Sequence, residues 1–202
     1  MKKLLLTGFE PFLDFPVNPT QKIAEELAGL QIGDYHIYSE ILPVNFKKAG
    51  QVVLSHIEDY QPDAVILLGL AGGRSKITPE RIAINVNDGP VDNFGHKPEG
   101  EVIQEDGADG YFSTLPIRKM VRLLKENGLP ADISNSAGAY LCNHVMYQAL
   151  YRNRKNGDSI PTGFIHIPAS HDLAIQQGRI PSWSHEDLKK GITVCIEALL
   201  EE

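Results

Sequence analysis

Two of the 202 residues are cysteines, Cys142 and Cys195. Cys142 follows the turn Ser136-Ala137-Gly138 and stands near the N-terminus of an expected helix, where the backbone dipole and free N–H groups favour a thiolate. A nucleophile would be placed there. A free cysteine is also a small hydrophobe, and Cys142 falls on its helix's apolar stripe, so packing stands beside chemistry as a reading. Cys195, between Val194 and Ile196, reads as packing. His166 is flanked by Ile165 and Ile167 in a strand that Pro168 ends. A buried imidazole needs a partner, and a core histidine and a general base are both open readings. A thiol and an imidazole 24 residues apart on neighbouring α/β units form a candidate nucleophile and base. Glu80 heads an alternating strand after Gly72-Gly73-Arg74 and Thr78-Pro79, and it could orient the histidine. The other reading pairs Glu80 with Arg81 or Arg74 at the surface.

Other chemistry has weaker support. The turn from Gly69 to Arg74 follows a strand, but it lacks the dinucleotide spacing and a Gly-Lys-Ser/Thr ending, so it reads as a tight turn. No G-x-S-x-G elbow and no H-E-x-x-H helix occurs. Cys142, His144, His166 and His171 fit no common structural-zinc spacing, and no metal is expected.

The elements that must position these residues follow from periodicity. Residues 2–8 read as a buried strand and 9–17 as a loop with an apolar lining. Asn18-Pro19 starts a helix through Ile23, Leu27 and Leu30. A strand over 36–42, a helix from Phe46 to Tyr60 and a strand over 64–70 come next. Residues 82–86 alternate as a half-buried strand, and 88–110 read as a long loop, a lid or an interface segment. A helix carries Ile117, Met120, Val121 and Leu124, and residues 131–134 form a short strand. The Cys142 helix runs through Val145, Met146, Ala149 and Leu150, then a strand covers 163–168, and Ser184 opens a last helix toward Leu200. Strands alternating with helices predict one α/β domain over 1–202, a three-layer α/β/α sandwich with a mostly parallel central sheet.

Composition excludes several partners. The net charge is −7 and the pI near 5.5, which argues against nucleic acid and acidic membrane surfaces. The longest apolar runs fall far short of the ~20 residues that span a bilayer, and the N-terminal run is too short for a signal peptide's core. These features, with two cysteines that the fold does not need as a bridge, lead us to expect a cytoplasmic protein.

Four segments together resemble the pyroglutamyl peptidase type I (pyrrolidone-carboxylate peptidase) family. They are Thr7-Gly8-Phe9-Glu10-Pro11-Phe12 with Val17-Asn18-Pro19, Ala71-Gly72-Gly73-Arg74 through Ile77-Thr78-Pro79-Glu80-Arg81-Ile82-Ala83-Ile84-Asn85, Ala137-Gly138 to Cys142-Asn143-His144, and Phe164-Ile165-His166-Ile167-Pro168. They occur in colinear order over essentially the whole chain. The resemblance implies a cysteine peptidase, without cofactor, that removes N-terminal pyroglutamate from peptides. It casts Cys142 as nucleophile, His166 as base and Glu80 as its orienting carboxylate, with a thioester intermediate. It also implies substrate-binding roles for Phe9, Phe12, Asn18, Leu70, Tyr140 and Leu141, although Asn18 is a helix cap as well. Relatives often assemble as dimers or tetramers, so a homo-oligomer is expected. Two departures stand out: Leu70 replaces a common Gln, and the segment 87–93 is a residue short and lacks an Arg. The competing readings are a nucleoside- or phosphate-handling protein using the Gly69 to Arg74 turn, and a catalytically silent relative.

Overall fold

The computed structural model describes residues 1–12 and 15–200, so two residues of the expected 9–17 loop and the last two of the chain lie outside the described residues. In chain order the elements are β1 (Lys2–Phe9), α1 (Pro19–Leu27), β2 (Gln31–Ile32), β3 (Tyr35–Leu42), α2 (Ala49–Tyr60), β4 (Ala64–Leu70), β5 (Thr78–Pro79), β6 (Ile82–Ile84), β7 (Asn87–Asp88), β8 (Glu99–Glu101), β9 (Gly110–Phe112), α3 (Ile117–Glu126), α4 (Leu141–Asn156), β10 (Thr162–Ile167), β11 (Ala169–Ser170), α5 (His171–Gln177), β12 (Ser182–Trp183) and α6 (His185–Glu197).

The central sheet has the order β2-β3-β1-β4-β10-β5. Its inner pairs β3/β1, β1/β4 and β4/β10 are parallel, and the edge pairs β2/β3 and β10/β5 are antiparallel. All seven residues of β4 are buried, as an apolar run covered on both faces requires. Alternation along the strands divides the core. Leu4, Leu6, Ile66, Leu68 and Ile165 pack against Ile23 of α1, Met120 and Leu124 of α3, and Leu188 and Ile192 of α6. Leu5, Val65, Leu67 and Phe164 face Val53 and Ile57 of α2 and Val145, Met146 and Ala149 of α4. The result is the predicted α/β/α sandwich with a mostly parallel sheet.

Several element boundaries differ from the sequence reading. The strand expected over 82–86 leaves the main sheet, because β5 has already taken the edge of β10 and the Glu80 N–H donates to Phe164 O (2.9 Å). Ile82–Ile84 pairs instead with β9. Residues 131–134 make only two isolated bridges, Ala131 to Ile77 and Ser134 to Glu80. Phe46 stays outside α2, because Asn45 Oδ1 accepts from the N–H groups of Lys47 and Lys48 in a turn. The 88–110 segment is tied down rather than free. Asp92 accepts from the N–H groups of Phe46, Phe94 and His96, and β7 pairs with β8. Helix α5, capped by Ser170, has no counterpart in the sequence reading.

Candidate active site

The site lies at the C-terminal ends of β4 and β10, on the face covered by α4. His166 is the cross-strand partner of Gly69 in a parallel register, so its side chain leaves the sheet on the side where Gly69 has none. A Cβ on Gly69 would lie 2.5 Å from Phe164 Cζ and 2.9 Å from Cys142 Sγ. Glycine is therefore what lets the thiol descend onto the sheet beside His166. The Phe164 ring lies against the imidazole, with centroids 4.8 Å apart.

Cys142 is the second residue of α4, whose start is fixed by its neighbours. The Asn143 amide accepts from Ile84 N (2.8 Å) and donates to Ile84 O (2.8 Å) and Val86 O (3.0 Å), stapling the helix to β6. The N-cap Tyr140 makes no side-chain capping bond, so the first amide donors of α4 keep no side-chain acceptor of that kind. At the far end Gly157 (φ 73°) and the basic Arg154 and Lys155 suit a helix C-terminus.

Glu80 is fully buried, and its Oε1 accepts from His166 Nδ1 at 2.7 Å. Burial pushes the Glu80 carboxyl up, but the hydrogen bond and charge of His166, with Ser134 and Arg74, outweigh it and the net shift is downward. An ionised carboxylate only accepts, so Nδ1 carries the imidazole proton and Nε2 keeps its lone pair. Burial lowers the pKa of His166 further than the Glu80 hydrogen bond and charge raise it. Cys142 is half-buried, and its thiol is pushed up to about 12, first by burial and then by the Glu80 charge, with Arg74 and the residue's own N–H pulling the other way. Burial thus outweighs the helix start that was expected to favour a thiolate, and the site holds a neutral thiol beside a neutral imidazole that a buried anion orients. Such a set can move a proton off sulfur as sulfur attacks a carbonyl.

Phe9, Phe12, Val44, Tyr140, Leu141 and Cys142 line one apolar depression of ≈ 20 Å³. Four of the six expected substrate-binding residues therefore meet at the thiol. Asn18 and Leu70 do not line it. Asn18 caps α1, accepting from Thr20 N (3.1 Å) and Thr20 Oγ1 (2.8 Å), and Thr20 Oγ1 accepts from Phe9 N (3.0 Å). Leu70 is buried with Ala169 and Leu173, where Phe12 packs against it.

The chain matches the pyroglutamyl peptidase family over residues 2–202. It is 56% identical to a pyrrolidone-carboxylate peptidase of Oceanobacillus iheyensis over 98% of this chain and 100% of the relative. The chain belongs to the pyroglutamyl peptidase family. A pyrrolidone-carboxylate peptidase of Halalkalibacterium halodurans is 50% identical over 97% of this chain and 98% of its own length. Among solved structures, a mutant pyrrolidone carboxyl peptidase of Pyrococcus furiosus superposes with a TM-score of 0.95 at 45% identity over 99% of both chains. The enzyme of Thermococcus litoralis gives 0.94 at 41% identity, over 98% of this chain and 93% of its own.

In this member of the pyroglutamyl peptidase family, the 87–93 segment docks on the chain that enters α4. The Asp88 N–H donates to Ala139 O (2.8 Å) and the Tyr140 hydroxyl donates to Val91 O (3.2 Å). The Gly69 to Arg74 run is a turn closed by Arg74 N to Ala71 O (2.9 Å). His144 and His171 are engaged elsewhere, through Nδ1 with Asn87 Oδ1 (3.0 Å) and Ser182 Oγ (2.9 Å) respectively. The sequence reading set a pair with Arg74 against a carboxylate that orients His166. In the structure Glu80 meets both partners, because Arg74 Nη1 donates to the Oε1 that His166 uses (2.7 Å), while Arg81 donates to Asn135 Oδ1 (2.6 Å).

Proposed function

We propose that this chain removes N-terminal pyroglutamate from peptides, with Cys142 as nucleophile, His166 as base and then acid, and Glu80 as the residue that orients the imidazole. The observation that carries the reading is the thiol seated over Gly69, beside a histidine whose far nitrogen a buried carboxylate holds. As Sγ bonds to the pyroglutamyl carbonyl carbon, the thiol proton passes to His166 Nε2. The carbonyl oxygen gathers negative charge near the uncapped start of α4, where amide donors and the helix dipole favour an anion. The C–N bond breaks as the amine takes the proton from His166, which leaves a thioester. Water then gives a proton to His166 as it adds to the acyl carbon. The departing sulfur recovers that proton, and free pyroglutamate leaves.

The substrate ring is a neutral lactam, and the walls offered to it are apolar. Room for about one water at the floor means that the side chains lining it must part for a larger guest. With aromatic and aliphatic walls, the lactam N–H and C=O turn to backbone partners for recognition. A ring without the carbonyl would leave such partners unpaired and be rejected. Asn18 and Leu70 act from behind, through Thr20 onto Phe9 and through packing onto Phe12.

Among the described residues no helix is long and apolar enough to cross a membrane. A cytoplasmic setting would keep the catalytic thiol reduced. Exposed Phe112, and Ile84 and Val102 that border one shallow depression, offer apolar surface to a second copy of the chain.

The test is to quench a reaction on a pyroglutamyl peptide with acid and analyse the digest by mass spectrometry. One pyroglutamyl acyl group on the Cys142 peptide is expected. Turnover with no adduct there, or with an adduct on Cys195, contradicts the assignment.

A further inference from the structure

Glu80 is held unevenly. The hydrogen bonds from His166 Nδ1 and Arg74 Nη1 both fall on Oε1, each at 2.7 Å, and neither reaches the buried Oε2. Arg74 uses its guanidinium as a three-way tie. Nη1 also donates to Thr78 Oγ1 (2.6 Å) and Nη2 to Ser136 O (3.2 Å), in the loop that leads to Cys142. The side chain is one third exposed, so one face of the cation meets solvent while the other closes over a fully buried anion.

We propose that Arg74 is a positioning residue of this enzyme: it fixes the Glu80 carboxylate for His166, limits the negative charge that His166 receives, and couples that pair to the loop entering the Cys142 helix. The proposal rests on the Cys142, His166 and Glu80 reading. Its physical basis is the competition of two donors for one oxygen. A carboxylate that gives all its charge to an imidazole favours the imidazolium, which cannot accept the thiol proton. A fixed cation on the same oxygen offsets that field and keeps the base neutral at lower pH. The charged groups that bear on His166 are Glu80 and Arg74, both from the segment after β4, and Arg74 acts in the proposed direction on both His166 and Cys142. From α4 the titratable group facing the ring is Cys142, and from its own strand the neighbour is the uncharged Phe164. Lysine would preserve the charge but not the fork that meets Thr78, Glu80 and Ser136 together.

The experiment compares wild type, Arg74→Met and Arg74→Lys by three measurements: kcat/KM against pH on a pyroglutamyl amide, the pH dependence of Cys142 alkylation by iodoacetamide, and Tm. In Arg74→Met the acidic limb of kcat/KM is expected to move up by about one pH unit, with the alkylation profile moving the same way. The rate falls about 10- to 100-fold at neutral pH as Glu80 loses its fixed position. Arg74→Lys is expected to return the acidic limb toward wild type while kcat stays low. An Arg74→Met limb that superimposes on wild type overturns the proposal, whatever happens to Tm. Should Arg74→Met not fold, wild-type kcat in Arg74→Lys overturns it. Failure of the underlying triad shows separately, as full activity in His166→Ala.

Discussion

Gly69 and His166 are cross-strand partners, and the space left by the missing Gly69 side chain holds the sulfur of Cys142. Residues from three distant parts of the chain thus meet at one register position of a parallel sheet. The arrangement needs no flexible loop to bring thiol and imidazole together. The sheet fixes the imidazole, and a helix start stapled by Asn143 fixes the thiol.

Gly69→Ala tests that relationship with the smallest possible addition. The new Cβ would meet Phe164 at 2.5 Å and Cys142 Sγ at 2.9 Å, closer than packed atoms tolerate, so ring and sulfur must both shift. We expect a stability loss of about 1–3 kcal/mol by urea unfolding. Displacement of the nucleophile is expected to cost about 100-fold in kcat. Wild-type kcat in a destabilised Gly69→Ala would mean that the sulfur's seat over Gly69 does not matter to the chemistry.

Glu80→Gln removes the anion but keeps the shape. The amide can present a donor to Nδ1 and so select the wrong tautomer, with an expected loss of about 10³- to 10⁴-fold in kcat. Glu80 raises the pKa of His166, so without it the residual activity should extend to lower pH. This is opposite in sign to the shift expected for Arg74→Met. A pH profile of kcat/KM reads both, and an upward shift in Glu80→Gln would contradict the assignment.

His144 supplies an acid sensitivity separate from catalysis. It is buried with Nδ1 on Asn87, and burial lowers its pKa to about 4. The unfolded chain takes up this proton near pH 6.5 and the folded chain only near 4, so stability is lost as pH falls through that window. The difference is worth about 3 kcal/mol. Tm measured from pH 7 to 4 should fall less steeply in His144→Gln than in wild type, and identical slopes would rule this source out.

Asn18 caps α1 and holds the Thr20 hydroxyl that accepts from Phe9 N. Asn18→Ala should cost about 1 kcal/mol, whereas Asn18→Ser retains a capping oxygen and should recover most of it. KM is expected to follow stability across the pair. Equal KM defects in both variants, with Asn18→Ser as stable as wild type, would instead indicate direct contact with substrate.

Strands β1, β4 and β10 and helices α1 to α4 and α6 were legible because these strands carry an apolar run and these helices a stripe, as in Ala64 to Leu70 or Ile23 and Leu27, whereas the two-residue edge strands β2 and β5 and the short α5 carry neither. The departures occur where one local signal meets a tertiary competitor. Alternation at Ile82, Ile84 and Val86 signals a strand but cannot say which sheet it joins, and β5 already occupied the edge of β10. Phe46 fits the periodicity of α2, yet the Asn45 turn keeps it outside, where it packs edge-on against Tyr140 at 5.2 Å. Turn and strand-end positions singled out Cys142, His166 and Glu80 as candidates. The shared use of Oε1 by Arg74 was not legible, because a pair with Arg74 and a carboxylate on His166 look like alternatives in one dimension. Nor does a one-residue motif reveal that Gly69 must lack a side chain.

The most direct test of the central claim is release of a fluorophore from a pyroglutamyl amide by wild type, Cys142→Ala and Cys195→Ser, with a prolyl amide as control. The account predicts release by wild type and by Cys195→Ser, whose thiol is buried in the α6 core, with none above background by Cys142→Ala and little from the prolyl amide. Release by Cys142→Ala at the wild-type rate, or equal cleavage of both amides, would contradict it.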